Sequence, residues 1–355
     1  MRVVDLFAGV GGLSHGFLME NFEIVFAIEY DSDIALANQY NHQQTTVYNI
    51  DITKSDIHKL YHEHSDIDVI IGGPPCQGFS QKGKRLSLND ERNFLFQYFI
   101  KFVKEFKPKY FLLENVPNII TTSNGFFKDE IVNAFNDLGY SINYDVLNAS
   151  QYGIPQNRKR AFFLGKLGDN KLNLPKPKTN KPKITIRDAI YDLPFISSGE
   201  GQEISDYEKQ VFSNYQRLLR NKSKILYNHK ATNHSKVALE RLSLIPKNGG
   251  RDSLPKEHLT KSVFSGTWTR LKEDGIAATI TTRFDTPSSG LFTHPILDRC
   301  LTVREAARIQ SFPDTFRFYG NKTSQMKQVG NAVPPLLAKA IAEVIRKDIN
   351  NESIT

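Results

Sequence analysis

Residues 3–13, Val3-Val4-Asp5-Leu6-Phe7-Ala8-Gly9-Val10-Gly11-Gly12-Leu13, read as a strand that passes through a glycine turn into a helix. The near-continuous apolar run from Val3 to Phe7 suits a strand covered on both faces, and Leu13, Phe17 and Leu18 give the following helix an apolar side. This is the first βα turn of a nucleotide-binding α/β sheet. A second apolar run, Ile24 to Ile28, ends in Glu29, and a third, Thr46 to Ile50, ends in Asp51. An acidic residue at about that distance beyond the glycines is placed to read ribose hydroxyls. The spacing of Gly9, Gly11 and Gly12 is GxGG and not the dinucleotide GxGxxG. Without a pyrophosphate to cradle, the pattern predicts an adenosyl ligand, with its ribose at Glu29 and its adenine at Asp51 and an apolar wall such as Ile52. A tight turn with no ligand is the alternative that the glycines alone leave open.

Further along, Val69-Ile70-Ile71 leads into Gly72-Gly73-Pro74-Pro75-Cys76-Gln77-Gly78-Phe79-Ser80. Two prolines fix φ and remove two backbone donors, so Cys76 leaves the strand end on a constrained path. A lone cysteine is often a small core hydrophobe. The run Tyr110 to Leu113, however, delivers Glu114 and Asn115 at its own end. Thiol and carboxylate on strand ends of one sheet make Cys76 a candidate nucleophile.

Eight blocks now stand in order: DLFAGVGGLSHGF, IEYD, DIT, GGPPCQGFS, ENV, QYGIPQNRKR, LTVREAARIQSFPD and QVGNAVPP. Through them the chain resembles the cytosine-C5 DNA methyltransferases of bacterial restriction-modification systems. The blocks cover both ends of the chain and leave its middle unmatched. The resemblance implies a Rossmann-like, S-adenosylmethionine-dependent methyltransferase sheet with a smaller target-recognition domain. The expected catalytic and cofactor-binding domain is 1–185, completed by 322–355, and the expected target-recognition domain is 186–321. It further implies cofactor contacts at Phe7, Gly9, Gly11, Gly12, Glu29, Tyr30, Asp51, Ile52, Pro74 and Asn331. Some members carry tryptophan where this chain has Tyr30. Cys76 becomes the nucleophile, and Glu114, Arg158 and Arg160 become contacts to the target base or its surroundings.

The chemistry accounts for these residue types. Cytosine C5 is too electron-poor to attack a sulfonium methyl until a nucleophile adds at C6, and covalent catalysis divides that difficulty into easier steps. The thiolate is the competent form, and cationic neighbours favour it. Arg158 and Arg160, two apart in an extended segment, are expected to point to one side. Glu114, protonated or sharing a proton with cytosine N3, would draw density from the ring, which calls for the raised pKa of a dry pocket. Taken without Cys76, Glu114 reads as a surface carboxylate and the arginines as a solvated basic turn.

The formal charge of +8 and pI near 9.2 agree with a double-stranded DNA substrate without proving one. The loop from Gln77 to Arg92, hinged at Gly78 and Gly83 and carrying Ser80, Lys82, Lys84, Arg85 and Arg92, is basic enough to close over a DNA backbone. From about Pro194 to Ile276 the sequence is polar and without clear periodicity, beyond a proline- and lysine-rich linker at 174–182. In the family this stretch reads the target, and Lys247, Asn248, Arg251, Trp268 and Arg270 are candidate base or phosphate contacts. Short helices are expected at 186–193, 302–310 and 336–345. Two cysteines exclude a disulfide framework, and Cys300 reads as structural. His58, His62 and His64 read as a solvated helix end, so no metal is expected. With no membrane-length apolar stretch and no signal peptide, the expected setting is the bacterial cytoplasm, associated with the nucleoid. A monomer is expected, with a cognate restriction endonuclease as a separately acting partner. A tRNA cytosine-C5 methyltransferase and a nonenzymatic DNA-binding paralogue are the rival readings.

Overall fold

The computed structural model describes residues 1–75, 94–177, 183–260 and 265–352. Its main elements, in chain order, begin with β1 (Arg2–Leu6), α1 (Gly12–Leu18), β2 (Glu23–Glu29), α2 (Ser32–Asn41), β3 (Thr46–Asn49), α3 (Ile57–Glu63) and β4 (Val69–Gly72). Next come α4 (Phe94–Phe106), β5 (Tyr110–Asn115), α5 (Asn118–Thr121), α6 (Phe126–Asn136), β6 (Tyr140–Asn148) and β7 (Lys159–Leu167). The chain continues through α7 (Ile186–Ile190), β8 (Gly201–Ser205), α8 (Asn214–Arg220), β9 (Leu226–Lys230) and α9 (Lys236–Ser243). It closes with α10 (Val303–Ile309), α11 (Lys322–Asn331) and α12 (Pro335–Glu352). Two compact units result: Met1–Asn148 with Lys159–Pro177 and Pro335–Thr355, and Ala149–Arg158 with Lys178–Pro334. The division differs from the expected one, because α11 and the segment Ala149–Arg158 join the second unit and only α12 returns to the first.

The first unit is built on a seven-stranded sheet in the order β3-β2-β1-β4-β5-β7-β6. The first five strands are parallel, and β7 runs antiparallel to both β5 and β6. Strand order reverses between β1 and β4, and in open α/β sheets ligands bind outside the carboxyl ends of the strands at such a point. One face packs Val4, Leu6, Phe26, Ile70, Phe111 and Leu113 against aromatic residues of α4 and α6. Gly165 on β7 makes room for the Phe111 ring, since a Cβ there would lie 2.0 Å from it. That ring stacks on Phe135 at 4.1 Å. α12 lies against α1 at Gly16, where a Cβ would come within 2.4 Å of Ala338 Cβ and 2.6 Å of the Lys339 nitrogen. Polar side chains tie α12 to the rest of the unit. Lys339 and Arg346 converge on buried Glu20 at 2.5 and 2.7 Å, and Tyr110 and Lys166 both donate to Asp348.

In the second unit β8 and β9 form an antiparallel pair, and the polar middle of the chain holds more regular structure than its sequence suggests. Ser213 with Gln216, Thr185 with Asp188 and Thr302 with Glu305 form reciprocal capping boxes that start α8, α7 and α10. α10 is wholly buried although it carries Arg304, Glu305 and Arg308. Arg308 is clamped by Asp192 and Asp314, Arg299 forks onto Glu305 through two 2.8 Å bonds, and Arg304 donates to the carbonyls of Tyr227, Pro313 and Phe316.

Two expected DNA contacts are corrected here. Trp268 packs with Leu242, Ile245 and Leu254 in a small core, its indole N–H donating to Thr260. Arg270 is 5% exposed, and its five donors go to the carbonyls of Ile245, Leu242, His294 and Leu297 and to the Asp298 carboxylate. No donor remains for a base edge. Cys300 is buried, as a structural cysteine should be, and burial pushes its thiol well up.

Candidate functional site

The backbone after β1 makes three left-handed steps, at Phe7 (φ 58°), Gly9 (φ 55°) and Gly11 (φ 89°). The two glycines take this conformation freely, whereas a bulky residue such as Phe7 does so at a cost on the order of 1–3 kcal/mol. The turn is over-determined by its surroundings: Ala8 N–H donates to the Ile28 carbonyl at 3.0 Å and Gly11 N–H to the Ala8 carbonyl at 3.0 Å. Strain held in this way points to a site. Beneath the turn, fully buried Asp5 accepts from the Ser14 hydroxyl at 2.6 Å, and burial pushes its carboxyl up to about 7. Sequence reading assigns Asp5 only to a strand, and the available signal was a charged residue inside an apolar run.

Glu29 closes β2 directly beside this turn. One carboxylate oxygen accepts the Gly9 N–H at 2.8 Å and the other the Asp31 N–H at 2.9 Å. Burial holds the carboxyl above its ordinary range against those bonds. Asn49, at the end of β3, donates to the carbonyls of Glu29 and Tyr30 at 3.0 Å and fixes their backbone. It is a site-building residue whose only sequence signal is an amide closing a strand. The Tyr30 ring stands 75% exposed, and Ile52 is buried. Asp51 caps the short helix at Ile52–Lys54, accepting from Thr53 N–H at 3.0 Å, and the Thr53 bonds hold it below the usual carboxylate range.

On the other side of the switch point, β4 and β5 end together. Gly72 sits so close to β1 that a Cβ would lie 2.3 Å from the Leu6 carbonyl oxygen. Asn115 reaches from β5 to donate to the Pro74 carbonyl at 3.1 Å, two residues before Cys76, while its own oxygen accepts Val116 N–H at 2.8 Å. Glu114 pairs with Arg160 of β7 through Nε at 3.0 Å, with side chains 13% and 17% exposed. The carboxylate also crowds Gly73, where a Cβ would lie 2.8 Å from Oε2. Cys76 itself, with Gln77, Ser80, Lys82, Arg85 and Arg92, lies outside the described residues.

The two arginines of the QNRKR segment part company. Arg160 faces Glu114 in the first unit, whereas Arg158 is fully buried in the second and donates to the carbonyls of Ile280 and Gly330 at 3.0 and 2.9 Å. Arg158 precedes β7, so alternation along that strand does not govern it. Arg158 thereby fixes the backbone next to Asn331, the exposed last residue of α11. Arg251, half-buried, donates to the Thr260 carbonyl at 2.8 Å. His58 pairs with Glu105 at 2.7 Å and His64 with the Tyr48 hydroxyl at 2.9 Å.

Comparison with known proteins agrees with this arrangement. The chain is 40% identical to the type II methyltransferase M.DdeI of Desulfomicrobium norvegicum, across 97% of its own length and 88% of the relative's. It is 36% identical to the type II methyltransferase M1.HphI of Haemophilus parahaemolyticus, across 99% and 88%. Among solved structures, a protein described as a DNA modification methyltransferase encoded within an E. coli prophage superposes with a TM-score of 0.80 at 30% identity, covering 99% of both chains. Residues 1–347 match the profile of the C-5 cytosine-specific DNA methylases, and the chain belongs to that family.

Proposed function

We propose that this chain methylates C5 of a cytosine extruded from a specific duplex DNA sequence, with S-adenosylmethionine as donor and Cys76 as covalent nucleophile. The observation that carries the reading is the junction of β4 and β5, where Asn115 anchors Pro74 and the Glu114–Arg160 pair stands beside Gly73. A carboxyl group held there by a cation, next to the loop that leads to a thiol, is what addition to an electron-poor base requires.

The residues around the glycine turn fit the cofactor. Among the described residues a Cβ at Gly9 would meet no atom within 4 Å, so the turn leaves room for a ligand, and the Glu29 carboxylate is oriented by backbone N–H groups of the turn and of Asp31. Phe7, Gly9, Gly11, Gly12, Glu29, Tyr30, Asp51, Ile52 and Pro74 of the first unit would hold it, Glu29 at the ribose and Asp51 at the adenine. When bound, the cofactor supplies an electrophilic sulfonium methyl. The chain's own part is to add the Cys76 thiolate to C6, forming a C–S bond that makes C5 nucleophilic. Once C5 is methylated, loss of its proton expels the thiolate and restores the aromatic ring. Glu114 holds N3 during the addition, oriented by Arg160. Gln77, Ser80, Lys82, Arg85 and Arg92 would contact the DNA, and exposed residues of the second unit such as Lys247 would read or hold it. No helix among the described residues is long and apolar enough to cross a membrane. The setting we infer is a monomer in the bacterial cytoplasm, protecting DNA from a separate cognate endonuclease.

Bisulfite sequencing of plasmid DNA from cells expressing the protein tests the activity and reads its target. Tritium transfer from S-adenosylmethionine to duplex DNA, measured beside transfer to tRNA, decides the substrate. Cys76→Ser is expected to abolish transfer while DNA binding survives, because an alcohol is a far poorer nucleophile than a thiolate. Substantial turnover by that variant would rule out the covalent route.

A further inference from the structure

The glycine turn is gripped from two directions, and only one of them belongs to the acidic residue that faces the ligand. Gly9 N–H is held by Glu29, and its carbonyl accepts Asn38 Nδ2 at 2.9 Å. Asn38, on α2, is fully buried, and its Oδ1 lies 2.7 Å from Nδ1 of His42, which is 3% exposed. The chemistry fixes the direction of this relay. A backbone carbonyl only accepts, so the amide nitrogen must face Gly9, which leaves the amide oxygen for the imidazole. His42 Nδ1 therefore carries the proton. The same ring fills the space beside Gly11, where a Cβ would lie 2.2 Å from Cε1, and it stands 6.0 Å from the ring of half-buried His15.

We propose that Asn38 and His42 are positioning residues for the cofactor, forming a brace that fixes the carbonyl side of the Gly9–Gly11 turn in its ligand-binding conformation. Neither side chain needs to touch the ligand. Their effect passes through the Gly9 peptide, whose left-handed conformation has no Cβ contacts of its own to hold it. Burial keeps His42 neutral, consistent with one donor proton at Nδ1. The proposal rests on the reading of this turn as an S-adenosylmethionine site.

Calorimetric titration of the full-length protein with S-adenosylmethionine, and separately with duplex DNA, tests it. His42→Phe keeps an aromatic ring but loses the donor, and is expected to weaken cofactor binding about five- to tenfold. His42→Asn places an amide N–H where Nδ1 stood and should stay within about twofold of the parent. Asn38→Asp sets a carboxylate oxygen against the Gly9 carbonyl and should cost about tenfold or more. That loss should shrink as the pH is lowered and the acid regains a proton to donate. DNA affinity should be the same in all four proteins. Equal cofactor affinity in all of them would overturn the brace, and so would parallel losses of cofactor and DNA binding, or a failure of His42→Asn to restore affinity. A parent protein that binds no S-adenosylmethionine would instead overturn the cofactor reading, and the brace with it.

Discussion

Arg308→Met is the perturbation whose cost the structure specifies best. The guanidinium is fully buried, and all five donors are used: Nε and Nη2 on Asp314 at 2.6 Å each, Nη1 and Nη2 on Asp192 at 2.8 and 3.1 Å, and Nη1 on the Ala189 carbonyl at 2.9 Å. Met replaces most of the volume and none of the charge. Two carboxylates then face each other with weak remaining cations, Arg304 at 3.8 Å from Asp314 and Arg220 at 3.9 Å from Asp192. Removing one partner of a buried pair typically costs 3–5 kcal/mol, here softened by those cations and by the Tyr207 hydroxyl, 2.6 Å from Asp314. A loss of about 3–5 kcal/mol corresponds to a fall of roughly 6–20 °C in the melting temperature of a unit this size. Differential scanning calorimetry at neutral pH, with reversibility checked, measures it. The triple variant Arg308→Met, Asp192→Asn, Asp314→Asn removes the stranded charges and should recover a good part of the loss. A drop under about 1 kcal/mol, or a triple variant no more stable than the single one, would refute the argument that charge compensation holds this core.

Other tests address the site directly. Gly73→Ala pushes a methyl to 2.8 Å from Glu114 Oε2, so the carboxylate must swing away from Arg160. Stability should change by less than about 1 kcal/mol because only a side-chain end moves, while methyl transfer falls about tenfold or more; unchanged turnover would detach Glu114 from the chemistry. For pH, the His42 imidazole is pushed down to about 3 by burial, then by His15. The unfolded chain takes up that proton below about pH 6.5 and the folded chain does not, so the group's contribution is complete above that pH and falls as the pH drops. Relative to His42→Asn, the parent should lose about 1.4 kcal/mol per pH unit between roughly pH 6 and 4, measured by urea denaturation. A difference that stays constant with pH would mean that His42 is charged in the fold.

The parallel strands were legible because both faces of such a sheet are covered and their apolar runs are nearly unbroken, as in Val3–Phe7 and Tyr110–Leu113. Strand ends were legible for the complementary reason, since a polar residue after such a run must leave the core. Glu29, Asp51 and Glu114 were found that way. What escaped was polarity inside the core. Arg270 reads as a DNA contact because arginine is usually exposed, yet its neighbours in space are carbonyls 24 to 28 residues away in sequence. Trp268, in a polar stretch, likewise looks like a surface ring until Leu242, Ile245 and Leu254 are brought to it. The middle of the chain escaped because short helices such as α8 contain too few turns for periodicity to show, and the capping boxes that start them, such as Ser213 with Gln216, were the signal left unread.

The distribution of polar groups separates two kinds of task. In the second unit, buried charges meet opposite charges or carbonyls with nearly every donor satisfied, as around Arg308 and Arg299, which specifies a conformation and leaves little chemistry to spare. The acids at the carboxyl ends of β2 and β5 stand instead at the edge of the core: Glu29 accepts the N–H groups of Gly9 and Asp31, and Glu114 pairs with Arg160 Nε. A carboxylate at a strand end is cheaper to hold than one in the core, because water can reach it in the free protein. A ligand hydroxyl or a base nitrogen can then take the place of that water. The glycines differ in the same way. Gly16 and Gly165 admit a helix and a ring and serve packing, whereas a Cβ at Gly9 would meet no atom of the described residues, which leaves room for the ligand proposed there.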